Sequence, residues 1–313
     1  MRGIRATILL AGMMLNIIPF PLFANSDFDT LLQAAEQQRT SNPAGARKIL
    51  SEIETEFETL STEQQHRYLF IKAYLAAVKG ELNQAIDIAS EITASPSLSS
   101  KIKANLLLAN IYEAVKNYQS AYSSLYLALG DVSKVSDKEL ISNIYTVATQ
   151  LHISAGAYEK AASYAVMIRS SSSSARAWCI SLSQELHAKI RSTGTYMPAN
   201  ATQAFKKCNE ANEPLLTHTL EHFTAEVDIY SDPKTVRASM QAMLPELEQI
   251  GFPYAILRAR YHLGHAQLRL REYSAAKTEL QQVQQLAQRL RDSRTENEAL
   301  LLLAQLNEQL GDA

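Results

Sequence analysis

The distribution of apolar residues predicts a chain made of helix pairs. From residue 27 onward, apolar positions recur at the spacing of one helical face, and the helical segments come in twos. Residues 104–121 and 261–276 show the arrangement most clearly. In each, a small residue on the first helix precedes by twelve positions a small residue on the second, and an aromatic residue stands three positions before the latter: Ala109, Tyr118 and Ala121 in one, Gly264, Tyr273 and Ala276 in the other.

The same spacing recurs in the N-terminal half of the chain, where Ala34 pairs with Ala46, Ala73 with Ala85, and Thr149 with Ala161. The second-helix positions 46, 85, 121 and 161 lie 39, 36 and 40 residues apart. Two antiparallel helices approach closely only where the facing side chains are small. The recurrence therefore predicts an all-α superhelical solenoid of antiparallel helix pairs.

This pattern resembles the tetratricopeptide repeat (TPR), in which small residues on both helices and an aromatic residue recur at a fixed period. The usual Trp of the first helix is absent and Pro rarely closes a unit, so the recurrence carries the resemblance. It implies a TPR-like domain over residues 25–313 with about seven helix pairs, degenerate over residues 175–255. A further first helix contains Leu303 and Ala304, 40 residues after Leu263 and Gly264, so the final pair is expected to be incomplete.

The N-terminus has the features of an export signal. Arg2 and Arg5 precede an uncharged, mostly apolar stretch over residues 6–26, and residues 22–24 offer a small-residue cleavage site. We predict a signal peptide over residues 1–24, cut after Ala24, and a periplasmic mature protein. The alternative is an uncleaved segment that anchors the chain in the inner membrane, since about 20 apolar residues span a bilayer. Asn16 and Pro19 interrupt the apolar run and favour cleavage.

Composition narrows the function classes. Ten Gly and nine Pro in 313 residues are few, which argues against a β-rich protein or an enzyme built on Gly-rich loops. The net charge of −2 lacks the basic excess typical of nucleic-acid binding. No P-loop, dinucleotide-binding fingerprint or nucleophile–base arrangement is recognisable. We therefore expect a non-catalytic protein without a cofactor.

Cys179 and Cys208 are the two cysteines of the chain. They fall on two helices predicted at about 175–192 and 200–211, and antiparallel packing would bring them to similar heights. An oxidising compartment would let a disulfide between them persist. The alternative is two buried free thiols, which behave as small apolar residues.

One string looks catalytic. His218, Glu221 and His222 match the H-x-x-E-H pattern of some zinc proteases, in which two His bind zinc and Glu acts as base. A third ligand, Glu226 or Glu298, would have to come from elsewhere, and the mixed α/β context of such enzymes is missing. His262 and His265 lie on a neighbouring helix, but ordinary helix polarity explains all four imidazoles without a metal. We expect neither a protease nor a metal site.

The resemblance also implies a binding surface. In TPR arrays the first-helix positions at −6, −3, +1 and +4 from the small residue line the concave face. Their mixture of amides, charges and aromatic rings suits a protein or peptide partner. The alternative is a set of solvated helix faces. The positions in this chain are Arg67, Phe70, Tyr74, Lys103, Asn110, Glu113, Asn143, Gln150, His222, Glu226, Arg258, Tyr261 and His265.

These features favour an exported scaffold or adaptor that binds its partner along a concave groove. A second resemblance supports an alternative. The segments 177–179, 205–208 and 247–253 are similar to the periplasmic TPR regions that precede diguanylate cyclase (GGDEF) domains. That resemblance implies a sensory module, acting with a membrane signalling partner. The chain has no Gly-Gly pair, so it contains no GGDEF motif and no cyclase activity is implied.

Overall fold

A computed structural model describes residues 25–212 and 214–311, and the predicted signal peptide lies outside these residues. Within them the chain is all-α, without a strand, which confirms the predicted fold class. Two short 3₁₀ turns, Glu54–Thr59 and Val132–Lys134, accompany fifteen α-helices. The helices are α1 (Asn25–Ser41), α2 (Pro43–Ile53), α3 (Thr62–Lys79), α4 (Leu82–Ile92), α5 (Leu98–Ala114), α6 (Tyr118–Gly130), α7 (Lys138–Ser154), α8 (Tyr158–Ser171), α9 (Ala175–Thr193), α10 (Pro198–Ala211), α11 (Pro214–Ser231), α12 (Pro233–Ile250), α13 (Pro253–Arg269), α14 (Tyr273–Leu290) and α15 (Ser293–Leu310).

Local sequence signals set the helix ends. At the start of α3, the Ser61 hydroxyl accepts a hydrogen bond from the Gln64 backbone N–H, and the Gln64 side chain accepts one from the Ser61 backbone N–H. This reciprocal capping box satisfies amides that have no partner inside the helix. The helix ends at Gly80, whose φ of 90° lies in the left-handed region that favours glycine.

Small residues allow the two helices of each pair to pack closely. Ala46, Ala85, Ala121, Ala161 and Ala276 are all fully buried. The first pair differs in detail from the sequence-based expectation. Ala35 rather than Ala34 is the buried alanine of α1, so the face that packs against α2 is shifted by one position from the predicted register.

The array curves because its two helix layers pack differently. The first helices of successive pairs (α1, α3, α5, α7, α9, α11, α13 and α15) pack against one another, whereas successive second helices stand farther apart. The layer of first helices is therefore the concave side. The curvature is strong enough for α3 to touch α13. A Cβ placed on Gly80, at the end of α3, would lie 3.4 Å from Leu290 Cδ2, at the end of α14.

The segment expected to be degenerate forms two further helix pairs, α9 with α10 and α11 with α12. A disulfide joins Cys179 on α9 to Cys208 on α10, with the two Cα atoms 4.6 Å apart. It lies in an apolar cluster with Leu186, Ile190 and Leu220, so it ties the pair together from inside. Over the described ranges, none of the helices has the length and apolar character needed to cross a membrane.

Candidate binding groove

The first helices carry the predicted groove positions, so we define the groove as the concave face of α1, α3, α5, α7, α9, α11, α13 and α15. At its N-terminal end, α3 packs against α1. The Arg39 guanidinium of α1 lies 5.8 Å from the Phe70 ring centroid and 5.5 Å from that of Tyr74. Arg67 makes two hydrogen bonds to the Glu36 carboxylate, at 3.1 and 3.2 Å. The predicted aromatic pair therefore forms a cation–π site, and Arg67 is engaged within the protein.

The middle of the groove holds polar side chains with little internal pairing. Glu113 forms an ion pair with Lys116 at 3.1 Å. Within the described part of the chain, the side chains of the other four predicted residues of α5 and α7 make no hydrogen bond or ion pair; they are Lys103, Asn110, Asn143 and Gln150. Asn110 is exposed, and the other three are half-buried. The amide groups can therefore hydrogen-bond to a partner without breaking an internal contact.

Charged residues cluster at the C-terminal end of the groove, where α9, α11, α13 and α15 meet. Arg191 pairs with Glu226 at 3.4 Å, and Arg294 pairs with Glu298 at 2.9 Å. Arg258 reaches Glu298 only at 3.9 Å, beyond hydrogen-bonding distance. The cluster thus holds three guanidinium groups and two carboxylates. Arg258 makes the longest ion pair of the three arginines.

Buried imidazoles lie beside this charged cluster. His222 is buried, and in the described structure neither of its ring nitrogens has a hydrogen-bond partner. Burial, reinforced by the charge of Arg258, lowers the pKa of His222 to about 3, so the ring is neutral at physiological pH. Its ring stacks on His262 with centroids 5.7 Å apart. His187 stacks on Phe223 at 3.8 Å, and its Nδ1 atom also lacks a partner among these residues.

Aromatic rings continue from the imidazoles to the surface. Tyr261 packs edge-on against His265 at 6.1 Å, and His265 packs edge-on against Tyr230 at 5.7 Å. Burial raises the pKa of Tyr261 to about 12, so its hydroxyl remains protonated. Tyr230 is exposed, and Arg269 lies over its ring at 5.6 Å. Tyr261, His265 and Tyr230 therefore form a row of ring contacts, the ring ladder, which ends at the solvent-exposed Tyr230. Tyr261 and His265 are two of the predicted groove residues.

The H-x-x-E-H string has a structural explanation. His218 forms hydrogen bonds to Glu221 and to Glu246 of α12, both at 3.1 Å, and so links α11 to α12. His222 instead points into the stack with His262. The two imidazoles therefore have different surroundings. In residues 25–212 and 214–311, no three His, Cys, Asp or Glu side chains are grouped as a metal site requires.

Sequence reasoning missed the contribution of α9 to the groove. His187 and Arg191 lie one helical turn apart and face α11 through Phe223 and Glu226. The helix has no clear small-residue pair from which its register could be counted. The four-residue spacing of His187 and Arg191, which places both on one helical face, is the signal that was available.

Comparisons with known proteins agree with this architecture. A family model described as "Tetratricopeptide repeat protein 21 ARM repeat" matches residues 25–129. The solved structure titled "Crystal Structure of Rap Protein Complexed with Competence and Sporulation Factor" superposes with a TM-score of 0.60. The match covers 92% of this chain and 91% of the Rap chain, and the two sequences are 13% identical. No curated protein matches. At this identity the likeness establishes the fold, a TPR-like helical repeat.

Proposed function

We propose that this protein binds a peptide or protein segment along its concave groove and acts non-catalytically, as a scaffold or adaptor. The observation that carries the proposal is His222, buried in the groove with two unpartnered ring nitrogens. A buried polar group without a partner costs about 1–3 kcal/mol. The two nitrogens have no accessible surface in the free protein, so a partner reaches them only by displacing the stack on His262. A partner that then supplies an acceptor and a donor would remove that cost.

The other groove residues suit an extended partner. Asn110, Asn143 and Gln150 offer amide groups to a peptide backbone, and Arg258 offers guanidinium donors to a carbonyl or carboxylate. The ring ladder ending at Tyr230 offers rigid aromatic area. The Rap protein of similar fold was crystallised with Competence and Sporulation Factor. By analogy, the groove of this chain is the surface on which we expect its partner.

Peptide selection tests the proposal. Random peptides are displayed against the full-length protein, and the affinity of a selected peptide is measured by calorimetry. Tyr261→Ala is expected to weaken binding by roughly tenfold or more, as for an aromatic hot spot. Tyr126→Ala is the matched control, because Tyr126 is exposed on the second helix α6. The proposal fails if no peptide is selected, or if Tyr261→Ala folds normally and binds as tightly as the control.

The N-terminal sequence supports a proposal on the cellular location. We propose that the chain is exported to the periplasm and that its signal is removed. The disulfide between Cys179 and Cys208 supports this, because such bonds persist in oxidising compartments. N-terminal sequencing of the protein from a periplasmic extract should begin at Asn25. A mature chain that retains Met1, or one found in the membrane fraction, would instead support the anchored alternative.

A sensory module is the second candidate. The contact between α3 and α13 favours it, because a ligand between the two halves of the groove would change that distance. Such a module would act with a membrane signalling protein. Distance measurements between spin labels at positions 48 and 277, on α2 and α14, separate the two functions. A ligand-dependent change supports the sensor, and a partner bound without a change supports the scaffold.

A further inference from the structure

A second concave feature lies outside the groove, on the side of the second helices. Helices α8 and α10 both pack on α9 but stand apart from each other. The cleft between them has a volume of about 1170 Å³. This exceeds the roughly 300–1,000 Å³ of a typical small-ligand site, so the cleft has room for a small organic ligand. The disulfide fixes α10 to α9, so one wall of the cleft is covalently tethered to its floor.

The floor of the cleft is apolar and rigidly held. Trp178 and Leu182 of α9 line it, and Met197, with 65% of its surface exposed, lies at its edge. Arg169 of α8 lies 5.9 Å from the Trp178 ring centroid and pairs with Glu185 of α9 at 2.7 Å. These contacts fix the indole between two helices. The half-buried Trp178 and Leu182 side chains favour an apolar ligand body.

Positively charged side chains outnumber negatively charged ones at the edge of the cleft. Arg169 and Glu185 neutralise each other. Lys160 and Lys189 also line the cleft, and across the described residues neither ammonium group has an ion pair or hydrogen bond. Glu159 is the one remaining carboxylate of the lining. The edge therefore carries a net positive charge next to an apolar floor, an arrangement complementary to an anionic amphiphile.

We propose that the cleft between α8 and α10 binds an anionic amphiphile, a ligand with an alkyl or aromatic body and a carboxylate head. The body lies on Trp178 and Leu182, and the head pairs with Lys160 and Lys189. This site is separate from the groove, since its lining comes from α8, α9, α10 and the loops beside them. It does not depend on the function proposed for the groove.

Trp178 provides the assay, because it is the only tryptophan of the chain. The full-length protein is titrated with dodecanoate below its micelle concentration, and indole emission is recorded. We expect a saturable change in emission, and weaker responses to dodecanol and dodecyltrimethylammonium. The variant Lys160→Gln/Lys189→Gln should bind dodecanoate roughly five- to tenfold more weakly. The control Lys48→Gln/Lys277→Gln carries the same charge change at exposed sites on α2 and α14 and should bind normally.

A second variant tests the apolar part of the site. Met197→Ser removes an exposed side chain, so folding is preserved, and it should weaken dodecanoate and dodecanol alike. The proposal is overturned if Trp178 emission does not change with dodecanoate. It is also overturned if dodecanoate, dodecanol and dodecyltrimethylammonium bind with equal affinity. The same holds if the control double variant at positions 48 and 277 loses as much affinity for dodecanoate as the double variant at positions 160 and 189.

Discussion

Substituting Ala for Gly264 is expected to destabilise the protein, because the added methyl group would enter space that α14 occupies. A Cβ at position 264 would lie 2.9 Å from Leu280 Cγ, 3.1 Å from Leu280 Cδ2 and 3.3 Å from Glu279 Cβ. Leu280 is fully buried among the apolar side chains of α13, α14 and α15, so it has little room to move. Helices α13 and α14 would have to separate.

Two opposing effects set the magnitude. Overpacking of a core by one carbon costs about 1–3 kcal/mol. Replacing Gly by Ala within a helix gains about 1 kcal/mol of intrinsic helix stability. The expected net loss for Gly264→Ala is therefore about 1 kcal/mol. Gly130→Ala is the matched control: Gly130 ends α6, its φ is not positive, and no atom lies within 4 Å of the position its Cβ would take. Without overpacking, that variant should be stabilised by about 0.5 kcal/mol.

Urea unfolding followed by circular dichroism measures both changes. The decisive comparison uses the background Leu280→Ala, in which the side chain that blocks the new methyl group is shortened. There, Gly264→Ala should become neutral or stabilising, because the methyl group enters a cavity. The reasoning is refuted if Gly264→Ala is as stable as the wild type, or if it costs the same free energy in both backgrounds.

Two further predictions concern the helix pairs α9–α10 and α11–α12. Hydrogen bonds that the His218 ring donates to the carboxylates of Glu221 and Glu246 raise its pKa above 6.5. Its stabilising contribution is therefore fully present below pH 6.5 and is lost as pH rises through the folded pKa. The loss of stability in His218→Gln, measured by urea unfolding across pH, should therefore shrink at alkaline pH; a pH-independent loss would contradict this assignment. The disulfide between Cys179 and Cys208 closes a loop with a sequence separation of 29, which corresponds to about 3–4 kcal/mol of stabilisation. Reductant should lower the Tm of the wild type but leave that of Cys179→Ser/Cys208→Ser unchanged, and an unaffected wild type would refute the estimate.

The helix pairs could be predicted because their packing depends on local side-chain size. Ala121 and Ala276 are fully buried as their spacing indicates, and the close approach at Gly264 explains why a residue without a side chain is used there. The exception is α1, where Ala35 replaces Ala34 at the contact. Two adjacent alanines leave the register of a helix open, since either can serve as the small residue.

The groove could be predicted only in part. Tyr74 and Tyr261 lie on helices whose register could be counted from a small residue, whereas His187 lies on a helix without one. The burial of His222 depends on His262, which comes from the next helix pair. Residue spacing within one helix does not report such contacts between pairs. The same holds for the curvature that brings α3 to α13, because it is the sum of small rotations over five repeats.

The contact between α3 and α13 has a consequence for cooperativity. In an open repeat array each unit contacts only its neighbours, so stability is a sum of local terms and the ends can fray independently. Here the second and seventh helix pairs also touch, at residues separated by roughly two hundred positions of sequence. Closing so long a loop costs chain entropy, so the contact between α3 and α13 is slow to form. Once it has formed, it couples the two halves of the array. We therefore expect the C-terminal pairs to protect the N-terminal pairs from local opening, as in a globular domain and unlike a linear array.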